Sequence, residues 1–515
     1  MALVLAACLA GPTVAAEIDE RPTVEMSLQD ALALAMDRNL DIAVQQYEVD
    51  ITEASVDVQR ALLDSEFSTT YFENEINNAN ANPFVGFPVV TQKNRQINAS
   101  WNDPTVWGGN FNLSWFADKA KANFLQLRPQ YSTEFNVVYT QSLTRNLGAK
   151  VNRAPIRIAQ NNLRISRSSF ESTVMNTVEA AEFAYWDLVF ARLDLEVQRS
   201  SLRLAEELLR MNKAKVEVGT MAPIDVTQAE AGVADRVEGV IVAEAAVLAA
   251  EDALRQLINP APDSNIWRSA IVPVDQPDFR PLMPDPESAI ETAMQYRPDL
   301  EQQRLTIASN ELQEEVDRKA KQWDVSLEGR YGTQGLSGTI TECQFASGTG
   351  TFTILNPDQA QQCALAGGNA VEILNTRMSD AIQDLRNRDF QDWRVAATLT
   401  IPIGNRDRKA RYAQSRLRHQ QSQVQMQSLL LTAEIDVRNR VRDVTTNIKR
   451  VEAAKKNREL QQENVEAEQK KFENGMSTSF TVLQVQDALR SAERRENLAI
   501  VDYNKSLASL EKSKG

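Results

Sequence analysis

Histidine is almost absent: His419 is the one histidine in 515 residues. A histidine-built metal cage needs several imidazoles, so structural or catalytic zinc is excluded on composition. A Ser/His or Cys/His nucleophile pair would have to rest on this single side chain. It lies between Arg418 and Gln420 in a helical stretch and reads as a solvated surface residue. No enzymatic activity, cofactor or metal is therefore expected. Lys/Arg-rich runs are also missing, and nothing offsets a net charge of −14, so the chain repels nucleic-acid phosphates. No run of 18 apolar residues occurs and mean hydropathy is −0.38, which excludes a membrane-spanning helix. Transmembrane β-strands are not excluded, because their alternating faces average out as moderately polar.

What is present begins with a short apolar stretch, Ala2–Ala10, broken by Gly11-Pro12 and followed by Ala15-Ala16-Glu17. Residues 1–16 read as a secretory signal cleaved after Ala16. Leu5-Ala6-Ala7-Cys8 equally fits a lipobox, which would make Cys8 a lipidated N-terminus. Both readings stand.

The rest of the chain is a duplication. Ser27–Gln46 resembles Pro286–Gln303, with Ala31, Ala35, Met36, Asp41 and Gln45 meeting Ala289, Ala293, Met294, Asp299 and Gln303. Further on, Gly219, Val226 and Gln228 meet Gly475, Val482 and Gln484 at nearly the same offset. The halves, 17–258 and 287–511, flank the segment 259–286. Its seven prolines defeat a helix and mark a surface linker. Long helices are expected over about 155–218 and 405–473, opened by Pro155 and by an Asn405 cap. At 1.5 Å per residue each is about 100 Å long. Shorter helices over about 28–64, 224–258, 287–322 and 478–511 match them two to one, which gives a parallel-sided bundle. Leu188, Leu195, Leu202, Leu209 and Val216 repeat every seven residues. So do Phe183, Phe190, Val197, Leu204, Met211 and Val218. Two such stripes on one helix give it a neighbour on each side, as in a wall. A globular all-α core accounts for the pattern less well.

Strands alternate near 67–76, 133–143, 325–331 and 393–403. Phe135, Val137 and Tyr139 oppose Glu134, Asn136 and Thr140; Trp393, Val395 and Leu399 oppose Arg394 and Thr398. Lipid on one side and water on the other suits this pattern, and so does a soluble sandwich with one wet face. Four strands cannot close a barrel, so a spanning sheet must be shared between protomers. A further pair, Gln96–Trp101 and Asn110–Phe116, either joins the barrel or forms a hairpin in a loop. Gly332–Asp392 reads as a polar loop carrying Cys343 and Cys363, a plausible disulfide in an exported protein.

Together these parts resemble the TolC-like family of outer-membrane efflux and secretion channels. The stretches that carry the likeness are Ser27–Leu40, Gln141–Arg145 with Asn152–Pro155, Val218–Gln228, Leu399–Arg406 and Gly475–Gln484. The resemblance implies an α+β membrane protein in the outer membrane. A homotrimer would share a 12-stranded β-barrel, four strands per protomer, continuous with a long periplasmic α-helical barrel. Its role would be a passive exit duct for a tripartite efflux or type I secretion system. The partners would be a periplasmic adaptor and, through it, an inner-membrane transporter. By the same resemblance Gly219, Thr220, Met221, Ala222 and Pro223, with Gly475, Met476, Ser477 and Thr478, form the periplasmic tips that meet the adaptor. Asp225 would form an entrance ring; Thr481 and Gln484, its counterparts in the second half, are uncharged. A periplasmic coiled-coil scaffold without a pore is the competing reading, but it has no use for lipid-faced strands.

Overall fold

The computed structural model describes residues 21–79, 89–122, 125, 127–345, 350–354 and 357–515. The signal segment 1–16 and Cys8 lie outside the described residues. In the first half the order is β1 (Thr23–Met26), α1 (Leu28–Arg38), α2 (Leu40–Arg60), β2 (Glu66–Ala79), β3 (Val89–Pro104), β4 (Gly109–Ala122), β5 (Gln130–Ser142), α3 (Ala149–Asn152), α4 (Ala154–Glu217) and α5 (Pro223–Ile258). Then come β6 (Ala270–Pro273), α6 (Pro286–Tyr296), α7 (Pro298–Ala320), β7 (Asp324–Phe345), β8 (Thr351–Thr353), α8 (Pro357–Leu365), β9 (Gly368–Asn375), α9 (Met378–Asn387), β10 (Phe390–Thr400), α10 (Arg406–Glu473) and α11 (Ser479–Lys514). The chain divides into two compact units whose boundaries fall inside α2, α4, α7 and α10. Among the described residues no helix is long and apolar enough to cross a membrane.

The helical unit shows why the halves match. α4 and α10 have 64 and 68 residues, and α5 and α11 have 36 each. The expected helices over 28–64 and 287–322 are each broken once. Asn39 ends α1 in an extended conformation, and its side chain accepts from the N–H groups of Asp41 and Ile42. Arg297 likewise ends α6 in an extended conformation before Pro298, whose ring disfavours a helical residue ahead of it. On α4 the fully buried line is Ala181, Tyr185, Leu188, Ala205 and Leu208. Leu188 belongs to the first heptad stripe; the other members of both stripes are only partly buried, and Val218 is exposed.

The proline-rich segment is more than a surface linker. Its residues Ala270–Pro273 pair in parallel with Thr23–Met26, and Ile271 is fully buried. A parallel pair this short leaves no local sequence signal, because its partner lies about 250 residues away. Beside it, Tyr185 donates to Asp275 at 2.7 Å. In the same unit the carboxylate of Glu251, with no exposed surface, accepts from Arg21, Arg192 and Arg255 at 2.9, 3.0 and 3.1 Å.

The strand unit is built on one antiparallel path, β10-β7-β5-β4-β3-β2, with β8 and β9 added to β7. The resemblance implied four strands; the path holds six, because β3 and β4 lie between β2 and β5. The registers give the sheet two unlike faces. One row reads Phe67, Trp101, Leu113, Val137, Tyr331 and Trp393 across all six strands. The opposite face carries Glu134 paired with Arg330 at 2.8 Å, and Arg394 paired with Glu328 at 2.5 Å.

The segment Gly332–Asp392 is not a loop. β7 continues through it to Phe345, and α8, β9 and α9 follow. Gly335 lies under α9, where a Cβ would come within 1.9 Å of the Ala381 carbonyl oxygen. Glycine there admits a close backbone approach rather than a turn. Cys343 and Cys363 are joined by a disulfide and buried with Ile354. In the chain-entropy model a crosslink spanning 20 residues stabilises by about 3 kcal/mol. Thiol labelling of the denatured, unreduced protein is expected to leave both cysteines unmodified. Free alkylation of both would contradict the bridge.

Candidate functional site

Both helix reversals end in the same capping motif. At the end of α4 the Gly219 N–H donates to the Val216 carbonyl at 3.0 Å, and the Thr220 N–H to the Lys215 carbonyl at 2.9 Å. At the end of α10, Gly475 donates to Phe472 at 3.2 Å and Met476 to Lys471 at 2.8 Å. These are Schellman closures, which need a left-handed residue after the helix. Gly219 and Gly475 both sit at φ +74°. The next helices start on Pro223 after Ala222, and on Ser479 after Thr478, whose hydroxyl accepts from the Thr481 N–H.

The two reversals are packed together. Leu208, Phe472 and Val482 form a buried cluster with Met211, Met221 and Leu483 against it. The buried Asn212 amide donates to the Ser479 hydroxyl at 2.7 Å and to the Asp225 carbonyl at 3.2 Å. Lys215 donates to the Phe472 carbonyl at 3.1 Å and stands 4.0 Å from the centre of that ring. Ser477 donates to Glu468, and Lys471 does so at 2.9 Å. The Ser477 hydroxyl, and after it the Lys471 ammonium, hold the Glu468 carboxyl below its ordinary range.

Each expected site residue can now be placed. Gly219, Thr220, Pro223, Gly475, Met476 and Thr478 are exposed. Met221 is spent on the cluster between the reversals, and Ser477 is half-buried on Glu468. Asp225 is half-buried in the first turn of α5. Asn212, Lys215 and Glu468 were not anticipated. Asn212 had a legible signal: it continues the buried line of Ala205 and Leu208 at helical spacing, where a polar residue needs a partner. Around the reversals Val218, Ile224, Met476 and Phe480 are large apolar side chains more than half exposed. His419 is not a solvated residue; its Nδ1 lies 2.8 Å from Glu314 and the side chain is largely covered. Among the described residues no cluster of metal-ligating side chains occurs.

A family model described as "Outer membrane efflux protein" matches residues 31–260 and 289–515. No curated protein matches the chain. Among solved structures, the Campylobacter jejuni CmeC outer membrane channel is similar at 15% identity over 95% of this chain and 85% of that one, with a TM-score of 0.65. The Vibrio cholerae outer membrane protein VceC is 12% identical over 95% and 96%, with a TM-score of 0.63. The open-state MtrE outer membrane channel of Neisseria gonorrhoeae is 17% identical over 95% and 88%, with a TM-score of 0.61.

Proposed function

The chain belongs to the outer membrane efflux protein family and is an outer-membrane exit duct, not an enzyme; from that premise we propose how it assembles and whom it meets. Three copies close one barrel and one helical wall. The two helix reversals receive the hairpin of a periplasmic adaptor, which links the duct to an inner-membrane transporter that supplies the energy. The observation that carries the duct is the pair of unlike sheet faces: one has an aromatic and aliphatic row across six strands, the other the Glu134–Arg330 and Glu328–Arg394 ion pairs. The Glu73–Arg95 and Glu75–Lys93 pairs on the aromatic face lie farther along β2 and β3, away from that row. A sheet in lipid must leave no edge unpaired, so copies must complete it.

The helices support the same assembly. Val44, Ile51 and Val58 on α2 recur every seven residues and are 60–68% exposed. Leu417, Val424 and Leu431 on α10 do the same at 59–64%. Exposed apolar seams at heptad spacing suit helix neighbours supplied by other copies. The apolar side chains Val218, Ile224, Met476 and Phe480 around the small exposed turns suit an adaptor contact. In this reading Asp225 contributes one acidic ring of three. Native mass spectrometry in detergent is expected to show a trimer. A stable folded monomer would contradict the shared barrel.

A further inference from the structure

We propose that the β3–β4 hairpin belongs to the membrane-spanning wall, so that three copies build a barrel of 18 strands rather than 12. The inference rests on the trimeric reading above and concerns what each copy contributes to it.

Four observations carry it. First, β3 and β4 have 16 and 14 residues, and each is long enough to cross the hydrocarbon as a tilted strand. Second, they are in register with the sheet over nearly their whole length. β3 pairs with β2 from Asn102 to Val89, and β4 with β5 from Gly109 to Ala120. The turn between them falls level with the strand ends where β2 begins and β5 finishes, so the hairpin spans the height of its neighbours. Third, its side chains continue both faces. Ile97, Ala99 and Trp101 of β3, and Phe111, Leu113, Trp115 and Ala117 of β4, share the face of Phe135, Val137 and Trp393. Asn98, Ser100 and Asn102, with Asn110, Asn112 and Ser114, share the face of Glu134 and Arg330. A hairpin leaning into water would have no reason to place Trp101, Leu113 and Trp115 in one apolar row. Fourth, the insertion preserves closure. Two added strands leave β2 and β10 at the edges, running in opposite directions, as an all-antiparallel barrel requires.

The occupant of both edges is therefore a second copy of this chain: β10 of one protomer lies beside β2 of the next. The edges carry the matching outer residues, with Trp393, Val395 and Leu399 on β10 and Phe67 and Tyr71 on β2 all more than half exposed. At an inter-strand spacing of about 4.8 Å and a tilt of about 40°, 18 strands give a backbone diameter of roughly 36 Å, against roughly 24 Å for 12. The outer-membrane section of this duct is thus about 1.5 times wider than a 12-stranded one.

The alternative is a sheet in which β2 pairs directly with β5 and the hairpin hangs free. Two cysteine pairs separate the cases. Ser114→Cys with Asn136→Cys joins β4 to β5, whose residues are directly opposed. Ser68→Cys with Asn136→Cys lies in the same row but three strands apart, about 14 Å. Oxidation in the outer membrane, read by peptide mass mapping, is expected to crosslink the first pair and not the second. Crosslinking of the second pair but not the first would overturn the proposal. Electron cryomicroscopy of the unsubstituted protein tests it without a variant. A threefold particle with 18 strand densities supports it. A threefold particle with 12 overturns it and leaves the trimeric reading intact. A particle without threefold symmetry would overturn that reading instead.

Discussion

Replacing Glu251 with alanine is expected to remove most of the assembled protein from the outer membrane. The Glu251 side chain has no exposed surface and accepts from three guanidinium groups. Arg255, on the next turn of α5, is itself 5% exposed. Truncating the carboxylate leaves that cation, still paired with Asp252 at 2.7 Å, beside Arg21 and Arg192, and breaking a buried pair from one side costs up to about 3–5 kcal/mol. Net stabilities of about 5–15 kcal/mol make this a large fraction of the total. Arg255 also donates to the Ser269 carbonyl at 2.7 Å, next to β6. The loss should therefore spread to the β1–β6 pair. Denaturant midpoint and outer-membrane abundance are the readouts. Glu251→Ala at wild-type values in both would refute the role given to this cluster.

Replacing both turn glycines with valine is expected to abolish efflux while leaving assembly nearly intact. Gly219 and Gly475 share φ +74°, and a Cβ at either meets nothing within 4 Å. No neighbour has to move, so the cost is the left-handed backbone alone, about 1–2 kcal/mol at each turn. Helices of 64 and 68 residues lead into these turns, and little of their packing depends on them. In the docking proposed above, the adaptor hairpin would meet two branched side chains in place of bare backbone. The measurement is efflux against trimer abundance in Gly219→Val, Gly475→Val and the double variant. Normal efflux in all three would show that these turns only reverse the chain.

How much was legible in the sequence depended on the range of the signal. The long helices announce themselves through heptads and Pro155, and α4 begins at Ala154. The reversals were legible because a glycine recurs at matched places in two halves. Strand β10 was displaced: Ile401 and Ile403 continue the alternation but fall after its last paired residue, Thr400. β7 was cut short because Gly332, Gly335 and Gly338 imitate a loop. Their reason is the approach of other groups: Ala381 at Gly335, Pro129 at Gly338 and Asp392 at Gly332. No local pattern reports such neighbours. Asn405 precedes α10 as expected, yet its amide donates to the Lys321 carbonyl at the end of α7. At the turns, Lys215 and Glu468 look like ordinary solvated helix residues. Only the fold brings them to Phe472 and Ser477.

The central claim is that copies of this chain enclose a continuous water-filled path through the outer membrane. Planar-bilayer recording of the purified, detergent-extracted protein tests it most directly. The account predicts discrete unitary current steps, with no added nucleotide or substrate. Trimers shown to have inserted, yet passing no current at any applied voltage, would contradict it.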